Sequence, residues 1–336
     1  MSFHERSSWA LWNEGLVNRR ANGSAQFTPI AGGAADYGLL YALTSFNDTK
    51  NNRRVQWGWA PEDLVADGGL FSATQQGFQG SHALPRELYV QTTDRVVNTE
   101  SVDLGALGPS QVTQNQDGTY TARTLGIRPL VGVVTGLRNG STQHSFPGGT
   151  FKKTTMLMTN GSTHMELSAT VSSCTGACGL CVGVSPDGDE ATTIYYEPSN
   201  NTLVVDRSKS SLIDGFNNAS VVGYFYPYTI APPYGAYGSY GNATTEPLVW
   251  DVFLDGSLLE VFINGRFALT TRIYPSKESS NGIAIFVGDG AEMVVESADM
   301  WADLYNVFPG RPLNSSSPLL YDNSVETNNY TWWTGE

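Results

Sequence analysis

The chain has 336 residues, a formal net charge of −13, 15% charged residues, 36 glycines, 16 prolines and three cysteines. So acidic a chain lacks the Lys/Arg stripes that nucleic acid or an anionic membrane surface requires, and no run of about 18 apolar residues marks a membrane-spanning helix. Charge well below the roughly 25% of an average domain leaves the polar surface to Ser, Thr, Asn, Gly and Tyr, and the length allows roughly one to three domains with a large core.

Taken in chain order, strand signals dominate and helical signals are weak. The first residues, Met1 to Ser8, hold no apolar h-region and do not read as a signal peptide. Within residues 1–92, Tyr37 to Phe46, Arg53 to Trp59 and Leu84 to Thr92 read as strands joined by Gly-rich loops. Trp57 and Trp59 fall on the same face of one strand and read as core. Residues 93–110 read as a linker. Met165, Leu167, Ala169 and Val171 alternate with polar neighbours, the pattern of a half-buried strand. Thr192 to Tyr196 and Thr202 to Asp206 flank Pro198-Ser199-Asn200-Asn201 as a hairpin. Residues 224–245 hold six tyrosines among Gly and Pro and suggest a surface loop. Asp255-Gly256 and Asn264-Gly265, both type I′ turn dipeptides, divide Val249 to Ile273 into three strands. Gly282 to Val287 and Glu292 to Trp301 then suggest a further pair around Gly288-Asp289-Gly290. Strands at this spacing, with no helical segments between them, argue for a β-sandwich.

The cysteines, Cys174, Cys178 and Cys181, favour one local disulfide and one free thiol in a loop between two strands. A zinc site would need a fourth ligand, and the nearest histidine, His164, lies ten residues upstream. Asn-x-Ser/Thr sequons occur at Asn22, Asn47, Asn139, Asn160, Asn200, Asn218, Asn242, Asn314 and Asn329. Such acceptors matter only in the secretory pathway. Together with the scarcity of charge, they point to a glycosylated extracellular protein.

Several chemistries are excluded. The chain has no Gly-x-Ser-x-Gly elbow, phosphate loop or His-Glu-x-x-His, and its four histidines (His4, His82, His144 and His164) are scattered. No metal or cofactor is therefore expected. Carboxylates remain, and with many aromatics they suggest sugar chemistry. Retaining glycoside hydrolysis uses two carboxyl groups about 5 Å apart, but spacing alone selects no pair among 32 acidic residues.

A set of blocks narrows this. In order they are Phe27-Thr28-Pro29 with Ala35-Asp36-Tyr37-Gly38 and Tyr41-Ala42; Arg53-Arg54-Val55-Gln56-Trp57-Gly58-Trp59; Gln76-Gly77-Phe78-Gln79-Gly80 followed by Leu84-Pro85-Arg86-Glu87-Leu88; Arg123 to Ile127; Tyr195-Tyr196 with Leu203 to Ser208; Glu260-Val261-Phe262-Ile263-Asn264-Gly265-Arg266; and Leu304-Tyr305-Asn306. They resemble the C-terminal half of glycoside hydrolase family 32, in its fungal branch of β-fructofuranosidases, inulinases and fructosyltransferases. The Arg-Arg-Val-x-Trp-Gly-Trp and Leu-Pro-Arg-Glu blocks are the specific ones.

The resemblance implies an all-β chain made of the last part of a five-bladed propeller (residues 1–92), the linker 93–110, a β-sandwich (111–310) and a polar tail (311–336). It implies sucrose or fructan as substrate, by hydrolysis or fructosyl transfer. The family's nucleophile, transition-state and acid/base motifs are of the types Asn-Asp-Pro-Asn, Arg-Asp-Pro and Glu-Cys, and none occurs here. No catalytic residue is therefore assigned, the chain alone is expected to be inactive, and a separate chain holding the rest of the propeller is a candidate partner. Family positions that bind sugar match His4, Tyr41 and, near the loop after the Trp-Gly-Trp strand, Glu62 and Asp63. Read without the family, His4 sits close to a terminus, Tyr41 packs in a strand, and Glu62-Asp63 are turn residues after Pro61. The alternative function is a lectin-like sandwich that binds carbohydrate.

Overall fold

The computed structural model describes residues 10–63, 80–97, 110–213, 216–233 and 242–305, and these are almost entirely β-structure. The strands form a two-stranded hairpin, an eight-stranded sheet and two sheets of seven and six strands that face each other as a sandwich.

The hairpin pairs β1 (Ala10–Arg19) with β2 (Ala25–Asp36) around Asn22-Gly23. Pro29 sits in β2 opposite Gly15, in a hairpin that pairs with no third strand among the described residues, the edge setting in which a strand proline is tolerated. Leu11, Leu16, Val17, Phe27 and Ile30 are exposed on it.

The eight-stranded sheet is blade-like. β3 (Tyr41–Asp48), β4 (Arg53–Ala60), β6 (Arg86–Val96) and β8 (Tyr120–Pro129) lie side by side. β5 (Ser81–His82) extends the end of β4, and β7 (Gln111–Gln114) flanks β8. Two expected boundaries move. Residues 93–96, assigned to a linker, continue β6, and 111–129, assigned to the sandwich, join the blade, with β8 along β6 and β7 along β8. Alternation in Tyr120–Pro129 marks a strand but carries no information about its partner. The Tyr-rich segment also contributes β17 (Thr229–Ile230) and β18 (Thr244–Thr245), with Ile230 opposite Val96. Tyr228 is buried against Val96 and Ala122, so this part of 224–245 is packed and is not a surface loop. The described residues contain one blade and no closed propeller.

A short helix, α1 (Val131–Leu137), leads into the sandwich. Its sequence gave no start or stop signal. It contains Gly132 and Gly136, and Leu130 at its N-cap makes no side-chain cap.

The first sandwich sheet runs β10 (Gly149–Phe151), β23 (Met293–Ala302), β12 (His164–Cys174), β19 (Leu248–Asp255), β20 (Leu258–Ile263) and β21 (Phe267–Arg272), with β9 (Thr142–Phe146) also on β23. The second runs β11 (Thr155–Met158), β22 (Gly282–Val287), β13 (Cys178–Val184), β14 (Ala191–Glu197), β15 (Thr202–Lys209) and β16 (Val221–Tyr224). Met165, Leu167, Ala169 and Val171 all point into the core between the sheets, as their alternation requires, and meet Trp250, Leu180, Ile194 and Ile285 there. The expected pairing of 282–287 with 292–301 does not form. β22 and β23 lie in opposite sheets, and the turn at Gly288-Asp289-Gly290 crosses between them. Both turn dipeptides do turn, but not as two-residue I′ loops. Gly256-Ser257 link β19 to β20 with only Gly256 left-handed, as in a II′ turn. Asn264, Gly265 and Arg266 form a three-residue loop with the first two left-handed.

Blade and sandwich share an apolar seam. Phe253, Phe262 and Ala268, on the outer face of the first sheet, meet Ile127, Leu88, Leu125 and Leu43 of the blade. Residues 37–39 run beside β21, with Tyr37 N donating to Ala268 O (3.0 Å) and Leu39 N to Thr270 O (2.8 Å). The approach is so close that a Cβ on Gly38 would lie 1.6 Å from Thr270 O.

Candidate functional site

The site grows out of the loops that feed the blade. Asp36 closes β2 and is buried. Its Oδ1 accepts from Gly38 N (2.7 Å) and Thr270 N (3.1 Å), which fixes the turn into β3. Tyr41 opens β3 opposite Trp59. A bulge between Tyr41 and Thr44, with Ala42 at φ 51°, re-aims the tyrosine. Tyr41 is 48% exposed, and its ring meets Trp59 edge-on at 6.2 Å.

Trp59 pairs in turn with His82 of β5, and His82 lies edge-on to Trp57 at 5.7 Å. Gly80 packs flat on the Trp59 indole. Its φ is +80°, and a Cβ there would lie 2.5 Å from Trp59 Nε1, so glycine is required on both counts. Tyr41, Trp59, His82 and Trp57 thus form one aromatic cluster at one end of the blade. Both tryptophans remain partly exposed, which corrects their assignment to the core. The period-2 pattern shows that they share a face but not that the face is open. Indole rings offer apolar faces to the C–H side of a sugar, and phenol and imidazole supply donors and acceptors for its hydroxyls.

Glu62 and Asp63, matched to sugar binding by the family pattern, serve as anchors here. Glu62 Oε1 accepts from Gly80 N (3.1 Å) and lies 3.6 Å from Arg272 Nη2, while Oε2 accepts from the Tyr274 hydroxyl (2.5 Å). Burial and this carboxylate push the Tyr274 hydroxyl far above its ordinary pKa. Asp63 takes Arg207 Nη1 on Oδ2 (2.5 Å) and Asn217 Nδ2 on Oδ1 (3.0 Å). Arg272 also donates to Ala60 O (2.8 Å) and Ser81 Oγ (2.7 Å). The pair therefore clamps the ends of β4 and β5, with Trp59 and His82 on them, to the sandwich.

A second anchor is buried at the start of β6. Arg86 bridges Asp36 Oδ2 (2.8 Å) and Glu260 Oε2 (2.9 Å), donates to Thr270 Oγ1 (2.6 Å), and lies over the Phe262 ring. Burial pushes the Glu260 carboxyl above its usual range against the pull of Arg86.

His4 lies outside the described residues, as do Asn314 and Asn329. The other sequon asparagines, at 22, 47, 139, 160, 200, 218 and 242, are all exposed. Cys174 and Cys178 form a disulfide, and Cys181 is a buried free thiol whose pKa burial pushes up. Among the described residues no three His, Cys, Asp or Glu side chains gather as a metal site.

Residues 133–302 match the C-terminal domain of glycosyl hydrolases family 32, and residues 18–100 match that family's N-terminal domain. The chain belongs to glycoside hydrolase family 32. Among its relatives, a fructan 1-exohydrolase of Bromus pictus is 26% identical over 74% of the chain and 40% of the relative. An insoluble β-fructofuranosidase isoenzyme of Oryza sativa is 24% identical over 79% and 44%. Two fungal structures of the family superimpose on the chain. A fructosyltransferase from A. japonicus gives a TM-score of 0.75 at 27% identity, over 90% of this chain and 50% of that one. A β-fructofuranosidase from Aspergillus kawachii gives 0.76 at 28%, over 90% and 52%. The chain spans about half the length of these family 32 relatives.

Proposed function

We propose that this chain forms the last blade and the sandwich of a family 32 enzyme acting on sucrose or fructans, by hydrolysis or fructosyl transfer. The observation that carries the reading is the aromatic cluster. Tyr41, the tyrosine that the family pattern matches to the sugar pocket, stands exposed beside Trp59 and His82 on a scaffold held by buried ion pairs. The groups here bind sugar but supply neither nucleophile nor acid. Binding a ground state does not lower a barrier, so the chain alone leaves sucrose uncleaved. The test uses purified chain and sucrose, with and without co-expression of a family 32 N-terminal portion carrying the three motifs. Cleavage is expected only in the pair, and Tyr41→Ala is expected to lower it at least about tenfold, a loss of ~1.4 kcal/mol. Cleavage by the chain alone, or none by the pair, overturns the proposal.

The exposed sequons support a secreted glycoprotein, checked by a mass decrease on treating the protein from its natural source with an N-glycan amidase. A second reading, that the sandwich itself binds carbohydrate, is favoured by a cavity at one end of it.

A further inference from the structure

The cavity, of about 560 Å³, opens between the loop before β12, the β19–β20 turn and the loop joining β21 to β22. Its volume lies within the roughly 300–1,000 Å³ typical of small-molecule sites. Leu254, Ile273 and the Tyr274–Phe216 stack give it an apolar floor.

The walls are fixed in advance. Glu190 is fully buried, and its carboxylate gathers one side of the cavity. Oε1 accepts from Ser276 N (2.9 Å), Ser276 Oγ (2.5 Å) and Leu212 N (2.8 Å), and Oε2 from Ser280 Oγ (2.5 Å) and Lys277 N (3.2 Å). On the opposite side Gly256 N donates to Thr163 O (2.8 Å) and Ser162 Oγ to Asp303 Oδ1 (2.8 Å). A ligand entering such a site does not have to order its loops.

Asn281 stands half-buried in the wall, where its side-chain amide can meet a ligand hydroxyl. The charges narrow the ligand further. Lys277 is already paired with Asp187 (2.5 Å) and Asp189 (3.0 Å), while Glu278 and Asp303 also line the cavity. That balance repels anions and leaves acceptors in excess. An apolar floor beneath an acceptor-rich rim suits a neutral ligand with hydroxyls to donate.

We propose that this cavity is a binding site for a neutral mono- or oligosaccharide, with the Asn281 side-chain amide hydrogen-bonding a sugar hydroxyl. The site is separate from the aromatic cluster of the blade, and the proposal rests on the reading that the sandwich binds carbohydrate. The full chain is titrated with sucrose, 1-kestose and maltotriose, followed by calorimetry and by NMR of labelled protein. At least one sugar is expected to bind saturably. Asn281→Ala is expected to weaken it about three- to tenfold, the worth of one hydrogen bond. Thr163→Trp, at an exposed rim position, is expected to abolish it. Saturable binding indifferent to both cavity variants overturns the cavity; where Tyr41→Ala removes that binding the sugar sits on the blade and the sandwich reading falls too, and where it persists a carbohydrate-binding sandwich stands. No saturable binding by any of the three sugars overturns both.

Discussion

Arg86→Met tests the buried anchor between blade and sandwich. The guanidinium is 1% exposed and makes two bonds to carboxylates and one to a hydroxyl. Methionine keeps much of the stem and removes the charge. Two charge-assisted bonds at roughly 1.5–3 kcal/mol each put the loss at ~3–6 kcal/mol. Against this stands Arg86 Nε, a buried donor with no acceptor, whose cost of about 1–3 kcal/mol vanishes in the variant. The net is about 3 kcal/mol, the lower end of the ~3–5 kcal/mol for breaking a buried pair. Urea unfolding followed by tryptophan emission should show the earliest transition moving to lower urea with its slope unchanged. The loss should also depend on pH. Burial already raises the Glu260 carboxyl, and without Arg86 its folded pKa stands further above the unfolded value. The folded variant then holds a proton that the unfolded chain releases, so its stability grows as pH falls. The defect should therefore be smaller at pH 5 than at pH 8. A loss below about 1 kcal/mol, or a loss equal at the two pH values, refutes the assignment of Arg86 as the anchor.

Two further outcomes follow from single contacts. Gly80→Ala combines a left-handed backbone with a Cβ driven into the Trp59 ring, so a loss of roughly 1–3 kcal/mol and a shift in tryptophan emission are expected, and unchanged stability with unchanged emission would contradict the packing. Burial alone would push the Glu190 carboxyl up, but donors from Ser276, Ser280 and Leu212 outweigh it and hold it down at about 2 against an ordinary 4.5. That shift stabilises the sandwich by roughly 3 kcal/mol above pH 4.5, and the benefit disappears as pH falls toward 2. Glu190→Gln should lower stability at pH 7 and flatten this acid limb, and parallel acid limbs in the two proteins would count against the network.

Much of the fold is legible in the sequence wherever the signal is local. The strands at 53–59 and 165–171 and the hairpin around Pro198-Ser199-Asn200-Asn201 follow from alternation and turn chemistry, and they form within about three residues of their expected limits. What escapes is non-local. Tyr120–Pro129 is a strand by pattern, yet its pairing with β6 instead of the sandwich depends on a partner about thirty residues earlier. Gly282–Val287 and Met293–Ala302 look like a hairpin but divide between two sheets, because an arch and a hairpin share the same Gly-rich turn composition. In the candidate site, Tyr41 is matched through the family blocks, whereas the openness of Trp57 and Trp59 is set by what leaves their face uncovered. Glu62 and Asp63 are matched to sugar binding by family position and read locally as turn residues, and neither reading shows the arginines opposite. Arg207 and Arg272, more than 140 residues away, decide their role.

The ionic anchors and the apolar seam have different tasks. Burying Arg86 with Asp36 and Glu260 removes three charges from water, and such pairs often add little net stability over well-packed apolar residues. Attraction between blade and sandwich is supplied instead by the seam of Phe253, Phe262, Ile127 and Leu88, where burial is favourable but tolerant of sliding. Directional bonds remove that tolerance. Asp36 fixes the turn before Tyr41, Glu62 and Asp63 fix the exit of the strand bearing Trp59, and Arg272 fixes Ser81 beside His82. Each aromatic of the cluster thus stands within a few residues of a bond to β21 or its neighbours, although the partners in those bonds lie outside the cluster. A sandwich bound by the seam alone would let these loops shift independently. Bound through the ion pairs as well, it holds Tyr41, Trp59 and His82 in one register, which apolar packing alone does not enforce.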